Sequence, residues 1–172
     1  PMDNEQVGEE VYISMINKAE NYCWFMTPYL IITDEMTHAL CLAAKRGVDV
    51  RIITPGIPDK KFIYNITRSF YHGLVKHGVR FYEWTPGFCH AKMSIVDDCM
   101  ATCGTINLDY RSLYHHFENG CFMADCQAVV EIKNDLIRTM GECRDVTDQY
   151  CTGRSAYLRL GQLLMRLFAG LL

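Results

Sequence analysis

The chain has no Cys-x-x-Cys pair, no basic excess and no apolar run of about 18 residues, and each absence closes off a class of protein. Without closely spaced pairs, the cysteines at 23, 41, 89, 99, 103, 121, 126, 143 and 151 do not nucleate a zinc site, and an odd total of 9 does not suit a closed disulfide framework. They read as reduced thiols in a cytosolic setting, mostly filling core space. With 17 Lys and Arg against 20 Asp and Glu, the formal charge of -3 gives no support to a general nucleic-acid binder, and no nucleic-acid partner is expected. No stretch reads as a secretory leader or a membrane span. What remains is a chain of 172 residues, 49% hydrophobic, with the size and composition of one domain built on a substantial buried core.

Hydrophobic spacing predicts how that core is made. Residues 9–22 place Tyr12, Ile13, Ile16 and Ala19 at helical spacing, and "CWFMT" follows as a buried strand that stops at Pro28. Thr33 is suited to cap a second helix carrying Met36, Leu40 and Ala43 or Ala44, which ends at Gly47 before the strand "VDVRIIT". A third helix, roughly 59–77, ends at Gly78 and feeds "VRFYEW". Three helix-strand units in succession imply parallel strands with crossover helices, so the expected fold is α/β, a mixed, largely parallel sheet flanked by helices in a single domain. "HAKMSIVD" and "MATCGT" then read as an antiparallel pair across an Asp-Asp-Cys turn, "ENGCFMAD" as a further strand, and "QAVVEIKNDLIRTM" as a helix covering the sheet. Within 152–172, Leu160, Leu163, Leu167 and Leu171 share one helical face opposite Arg159, Gln162 and Arg166. That amphipathic helix suits docking on a neighbouring domain better than lying on a membrane, since its polar face carries few basic residues.

The chemistry concentrates in "HAKMSIVDDCMATCGTIN", residues 90–107. Strand alternation puts His90, Lys92, Ser94 and Val96 on one face and Ala91, Met93, Ile95 and Asp97 on the other. Two potential cations side by side within about 7 Å repel each other, and a bound anion relieves the repulsion; phosphate is the obvious candidate. A turn at Gly104 and Thr105 would offer backbone N–H groups and a hydroxyl, and Asn107 an amide donor, which with Lys92 would hold phosphoryl oxygens. Neutral imidazole is then free to attack phosphorus, with Glu118 available to accept from the second ring nitrogen of His90 and fix its tautomer. Asp97 points the other way and is better suited to pin the turn.

"HAKMSIVD" followed by "GTINLDYRS" and "FENG" resembles the phospholipase D superfamily, whose motif is His-x-Lys, four residues, Asp, six residues, Gly-Gly or Gly-Ser, x, Asn. His90, Lys92, Asp97, Gly104 and Asn107 match, with Thr105 where Ser or Gly is commoner. The flanking "MTPYLIITDEMTHALCLAAKRGVDVRIITP" and "NLDYRSLYHHFENG" resemble the bacterial cardiolipin synthase branch, its C-terminal half in particular. The resemblance implies that His90 is the nucleophile or its general-acid partner, Lys92 and Asn107 bind phosphate beside Gly104 and Thr105, Asp97 supports them and Glu118 orients His90. It also implies phosphatidyl transfer between two phosphatidylglycerol molecules through a phosphohistidine, with release of glycerol and with no metal or organic cofactor. Phosphatidylglycerol and anionic membrane lipid would be the partners, at the cytoplasmic side of the cell membrane, with this chain itself soluble or peripheral.

A phosphohistidine route needs a second acid to protonate the leaving alkoxide, a histidine from a second copy of the motif in this superfamily. Only one copy is present, and His38, His72, His77, His115 and His116 lack the accompanying Lys and Asp. The missing histidine would come from the N-terminal half of a longer parent chain, which the start at Pro1 suggests, or from a homodimer partner. A homodimeric phosphodiesterase or nuclease and a non-catalytic module that binds anionic phospholipid are the competing readings.

Overall fold

Alternation along one short strand divides the core in two. Cys23 and Phe25 of β1 (Tyr22–Met26) join a cluster with Tyr12, Met36, Leu40, Ile66 and Leu74, while Trp24 and Met26 face Val129, Leu136 and Met140 on the other side of the sheet. The computed structural model describes residues 5–151, so the amphipathic stretch at 152–172 lies outside the described residues. In order the elements are α1 (Val7–Lys18), β1, β2 (Leu30–Ile31), α2 (Asp34–Lys45), β3 (Asp49–Pro55), α3 (Lys61–Val75), β4 (Arg80–Trp84), β5 (Met93–Val96), β6 (Met100–Gly104), β7 (Leu108–Asp109), α4 (Tyr110–Tyr114), β8 (Gly120–Ala124), α5 (Gln127–Glu142), β9 (Cys143–Asp145) and α6 (Thr147–Cys151).

The seven-stranded sheet runs β8-β6-β5-β1-β3-β4-β9. Helix-strand alternation makes β1, β3 and β4 parallel, as expected from the sequence. The parallel part is nevertheless smaller than expected, because the β5, β6, β8 and β9 ladders are all antiparallel. The cause lies in the connections. A parallel return needs a crossover of a dozen residues or more, usually helical, whereas β4 reaches β5 through residues 85–92 with no helix, and β9 follows α5 directly. The chain therefore enters β5 at the end where β1, β3 and β4 finish, and runs back against β1.

Local chemistry sets the helix boundaries. The Thr33 hydroxyl accepts from the Met36 N–H at 3.1 Å and caps α2, whose buried Met36, Leu40 and Ala43 lie on one stripe. Gly47 and Gly78 follow α2 and α3 with φ of 96° and 101°, a conformation that any side chain would strain. Buried Glu9 of α1 accepts from the hydroxyls of Thr33 and Tyr114, tying α1 to the start of α2 and to α4. A two-stranded parallel sheet, β2 with β7, lies beside the C-terminal end of β1, held further by the Leu108 N–H donating to Thr27 Oγ1 at 3.1 Å.

Candidate active site

Residues 85–92 carry the chain along the C-terminal ends of the parallel strands, the edge at which open α/β sheets bind ligands. His90 and Lys92 lie at the end of that run. The Lys92 ammonium is 2.9 Å from His90 Nδ1 and donates to the His90 carbonyl at 2.7 Å, so the two groups meet as their spacing predicts. His90 is exposed and its ring stacks on Phe88, with centroids 5.7 Å apart. Lys92 is only 8% exposed. Burial pulls its pKa below the usual lysine range, and the negative field of Glu118, Cys89 and Asp109 counters this in part.

The β5–β6 register continues the site. The Gly104 N–H donates to the Lys92 carbonyl at 3.3 Å, and the Thr105 N–H to the Asn119 carbonyl at 2.8 Å. Both N–H groups expected to point at a phosphate are therefore committed to the sheet. What the turn offers instead is side chains. The Thr105 hydroxyl donates to Glu118 Oε2 and accepts from the Asn119 N–H at 2.9 Å. Asn107 is held at 3.1 Å from Ser112 Oγ, and among the described residues its Oδ1 is buried without a partner. Because the Ser112 hydroxyl can donate or accept, the amide keeps that contact in either orientation.

Asp97 and Glu118 both make their contacts away from the His90 ring. Asp97 closes the far end of β5 at φ 48°, and its carboxylate accepts from the Glu20, Asn21 and Tyr22 N–H groups at 2.6, 2.9 and 2.7 Å. It fixes the start of β1 against the β5–β6 turn and does not face His90, in keeping with its expected place on the opposite face. Glu118 lies in the loop ahead of β8 rather than on the strand. The Gly104↔Gly120 register sets it over the Thr105 turn, where it faces the Thr105 hydroxyl and, at 3.8 Å, His116 Nδ1 instead of the imidazole of His90. Of the other histidines, His38 and His72 lie on α2 and α3, His77 follows α3, and exposed His115 and His116 follow α4.

Three neighbours escaped the sequence reading. Asp109 caps α4 by accepting from the Ser112 N–H at 2.7 Å, and burial raises its pKa. Ser112 supports Asn107, and Phe88 covers one side of His90. The signal for the first pair was present in "LDYRS", an Asp with a Ser three residues on at a helix start; Phe88 had none. Among the described residues no group of three or more His, Cys, Asp or Glu side chains is placed to hold a metal ion.

A mixed sheet that gathers a histidine, a buried lysine, a threonine and an asparagine at the ends of its parallel strands has the architecture of the phospholipase D superfamily. The crystal structure of the phospholipase D family member Nuc from Salmonella typhimurium superimposes with a TM-score of 0.69 at 19% identity, covering 80% of this chain and 89% of that one. Residues 12–140 match the family described as "Cardiolipin synthase, PLD-like domain", and the chain belongs to that family. A cardiolipin synthase of Halalkalibacterium halodurans is 33% identical over 167 residues, 97% of this chain and 33% of the relative. An uncharacterized protein of Streptococcus mutans is 49% identical over 172 residues, all of this chain and 37% of the relative. The chain thus spans about a third of the length of the curated relatives it matches.

Proposed function

We propose that this chain supplies one half of a phosphatidyl-transfer site of cardiolipin synthase type. The observation that carries the reading is the Lys92 ammonium, buried and turned onto the imidazole of His90 at 2.9 Å, with the Asn107 amide and Thr105 hydroxyl at the same end of the sheet. A phosphodiester in this place is held by Lys92, and its phosphorus lies open to a His90 ring nitrogen. Attack forms the P–N bond and breaks the P–O bond to a glycerol headgroup, whose oxygen takes a proton from a second acid. A hydroxyl of a second phosphatidylglycerol then attacks phosphorus, gives its proton to that same group and displaces His90, leaving cardiolipin and glycerol. Fixed positive charge in a poorly solvated site favours the anionic, five-coordinate transition state. No metal or organic cofactor enters these steps.

The second acid comes from another copy of the motif, in the N-terminal half of a longer parent chain or in a second copy of this chain. The first is favoured by relatives about three times as long. The work would take place on anionic membrane lipid at the cytoplasmic face, with this domain peripheral; among the described residues no helix is long and apolar enough to cross a bilayer. Vesicles of phosphatidylglycerol mixed with the parent protein should yield cardiolipin and glycerol in equal amounts, and His90→Ala should abolish both. No product from several anionic donors, or full activity in His90→Ala, refutes the proposal. A second reading, a homodimeric single-motif phosphodiesterase, draws support from a fold neighbour of nearly the same length. It predicts that the chain alone forms dimers and hydrolyses bis(p-nitrophenyl) phosphate.

A further inference from the structure

Between α1 and the β6–β8 edge lies a cavity of about 320 Å³ that shares Gly104 and Glu118 with the candidate site. The two open on one face of the sheet. Ser94 Oγ meets Thr102 Oγ1 at 2.6 Å, Thr102 stands opposite Phe122, and Lys92 precedes Ser94 by two residues on the same side. Gly104 and Gly120 stand opposite each other, and both line the cavity. A Cβ at Gly104 would lie 2.2 Å from the Asn119 carbonyl oxygen, and one at Gly120 would lie 2.9 Å from the Ile106 Cδ1. Backbone and the Ile106 side chain thus already fill the space a larger residue would need at either position, and the cavity adjoins Lys92 through Gly104, whose N–H donates to the Lys92 carbonyl.

The walls decide what fits. Val7, Val11, Ile106, Leu113 and Phe122 supply apolar surface. Most polar groups of the lining are already engaged within the protein: Tyr12 with Thr102, Thr102 with Ser94, Ser112 with Asn107 and Glu118 with Thr105. A polyol entering here finds few free hydrogen-bonding groups, whereas an alkyl chain can lie against the five apolar side chains of a mixed lining. We propose that the cavity is an acyl-chain subsite, taking the first methylenes of a fatty-acyl chain from the phospholipid whose phosphate lies at Lys92 and His90. The proposal rests on the phospholipid reading of that site and adds where the lipid's apolar part goes.

The test compares dihexanoyl phosphatidylglycerol, kept below its micelle concentration, with its deacylated counterpart glycerophosphoglycerol, each titrated into the 172-residue chain by calorimetry. Each buried methylene contributes roughly fourfold in affinity, so the acylated ligand should bind at least about tenfold more tightly. Gly120→Val and Val11→Phe each narrow the cavity, which both residues line. In either variant that retains wild-type circular dichroism and a cooperative melt, the ratio should fall to about twofold or less, with glycerophosphoglycerol affinity unchanged. Equal affinities in the wild type, or a tenfold ratio that survives in both folded variants, overturns the subsite and leaves phosphate binding intact. Failure of both ligands to bind the wild type removes the phospholipid reading itself, and the subsite with it.

Discussion

Lys92→Met separates what the buried ammonium does for ligand binding from what it does for the fold. Lys92 is 8% exposed, touches His90 through a ring nitrogen and the carbonyl, and has no carboxylate partner among the described residues. Replacing buried ionic groups with apolar ones of similar volume is often neutral or stabilising, and about 1 kcal/mol is expected here, a rise of roughly 2–4 °C in melting temperature for a chain of this length. The pH dependence should change as well. Burial lowers the folded pKa of Lys92, so between that value and the unfolded value of about 10.4 the unfolded chain binds more protons, and wild-type stability rises with pH through that window. The variant lacks this rise. Inorganic phosphate at a hundred times its Kd should stabilise the wild type by about 2.7 kcal/mol and the variant by far less. Thermal melts with and without phosphate, at pH 7 and pH 9.5, check all of this. A variant that melts lower in plain buffer, or gains as much from phosphate as the wild type, refutes the reasoning.

Three further substitutions test the surrounding structure. Asp97→Ala removes an acceptor of three backbone N–H groups and should cost about 3 kcal/mol, lowering the melting temperature by roughly 6–12 °C while the phosphate-induced shift survives; loss of that shift in a folded variant would place Asp97 in the site. Glu83 is fully buried and accepts from Arg68 at 2.8 Å and Arg144 at 2.7 Å; Arg144 is solvent-exposed, so Glu83→Ala leaves the part-buried Arg68 guanidinium unpaired and should cost about 3 kcal/mol by urea unfolding. Asp109 has its pKa raised by burial, so the folded chain holds that proton above the unfolded pKa of about 3.9, and stability falls as pH climbs through the window from there to the folded value. Asp109→Asn keeps the cap on α4 and should flatten this fall, measured as urea midpoints between pH 3.5 and 7.

The features that could be read from the sequence are those whose cause is local. Thr33, Gly47 and Gly78 mark helix ends because capping and positive φ are properties of single residues, and both were found where expected. His90 and Lys92 come together because two residues along an extended chain return to the same side. The two-residue strands β2 and β7 carry no period to detect, and β9 occupies three residues immediately after a helix. The partner of Glu118 depends on how β6 and β8 are aligned, which no window of sequence contains. The ladders on the two sides of β6 likewise determine that the Gly104 N–H donates to the Lys92 carbonyl and the Thr105 N–H to the Asn119 carbonyl, so these two backbone groups are not free as the sequence suggested.

The distribution of unmet polar demand gives an independent argument for where the function lies. Away from the site, buried charge is matched: Glu83 has two arginines, and the Asp49 carboxylate lies within 3.1 Å of Arg80 and 2.6 Å of Arg51. The Trp24 indole N–H has no acceptor among the described residues, yet its ring has the Arg51 guanidinium 4.9 Å away and packs on the opposite side of the sheet. At the ends of the parallel strands the accounts differ. A lysine is buried against a histidine ring nitrogen, an amide oxygen is buried without a partner among the described residues, and a nearby carboxyl is pushed towards its neutral form. A sequence selected for stability alone would replace such groups at small cost. Their concentration in one place, beside a cavity that shares Gly104 and Glu118 with the site, marks the ends of the parallel strands as the place where a ligand would meet unmet polar demand.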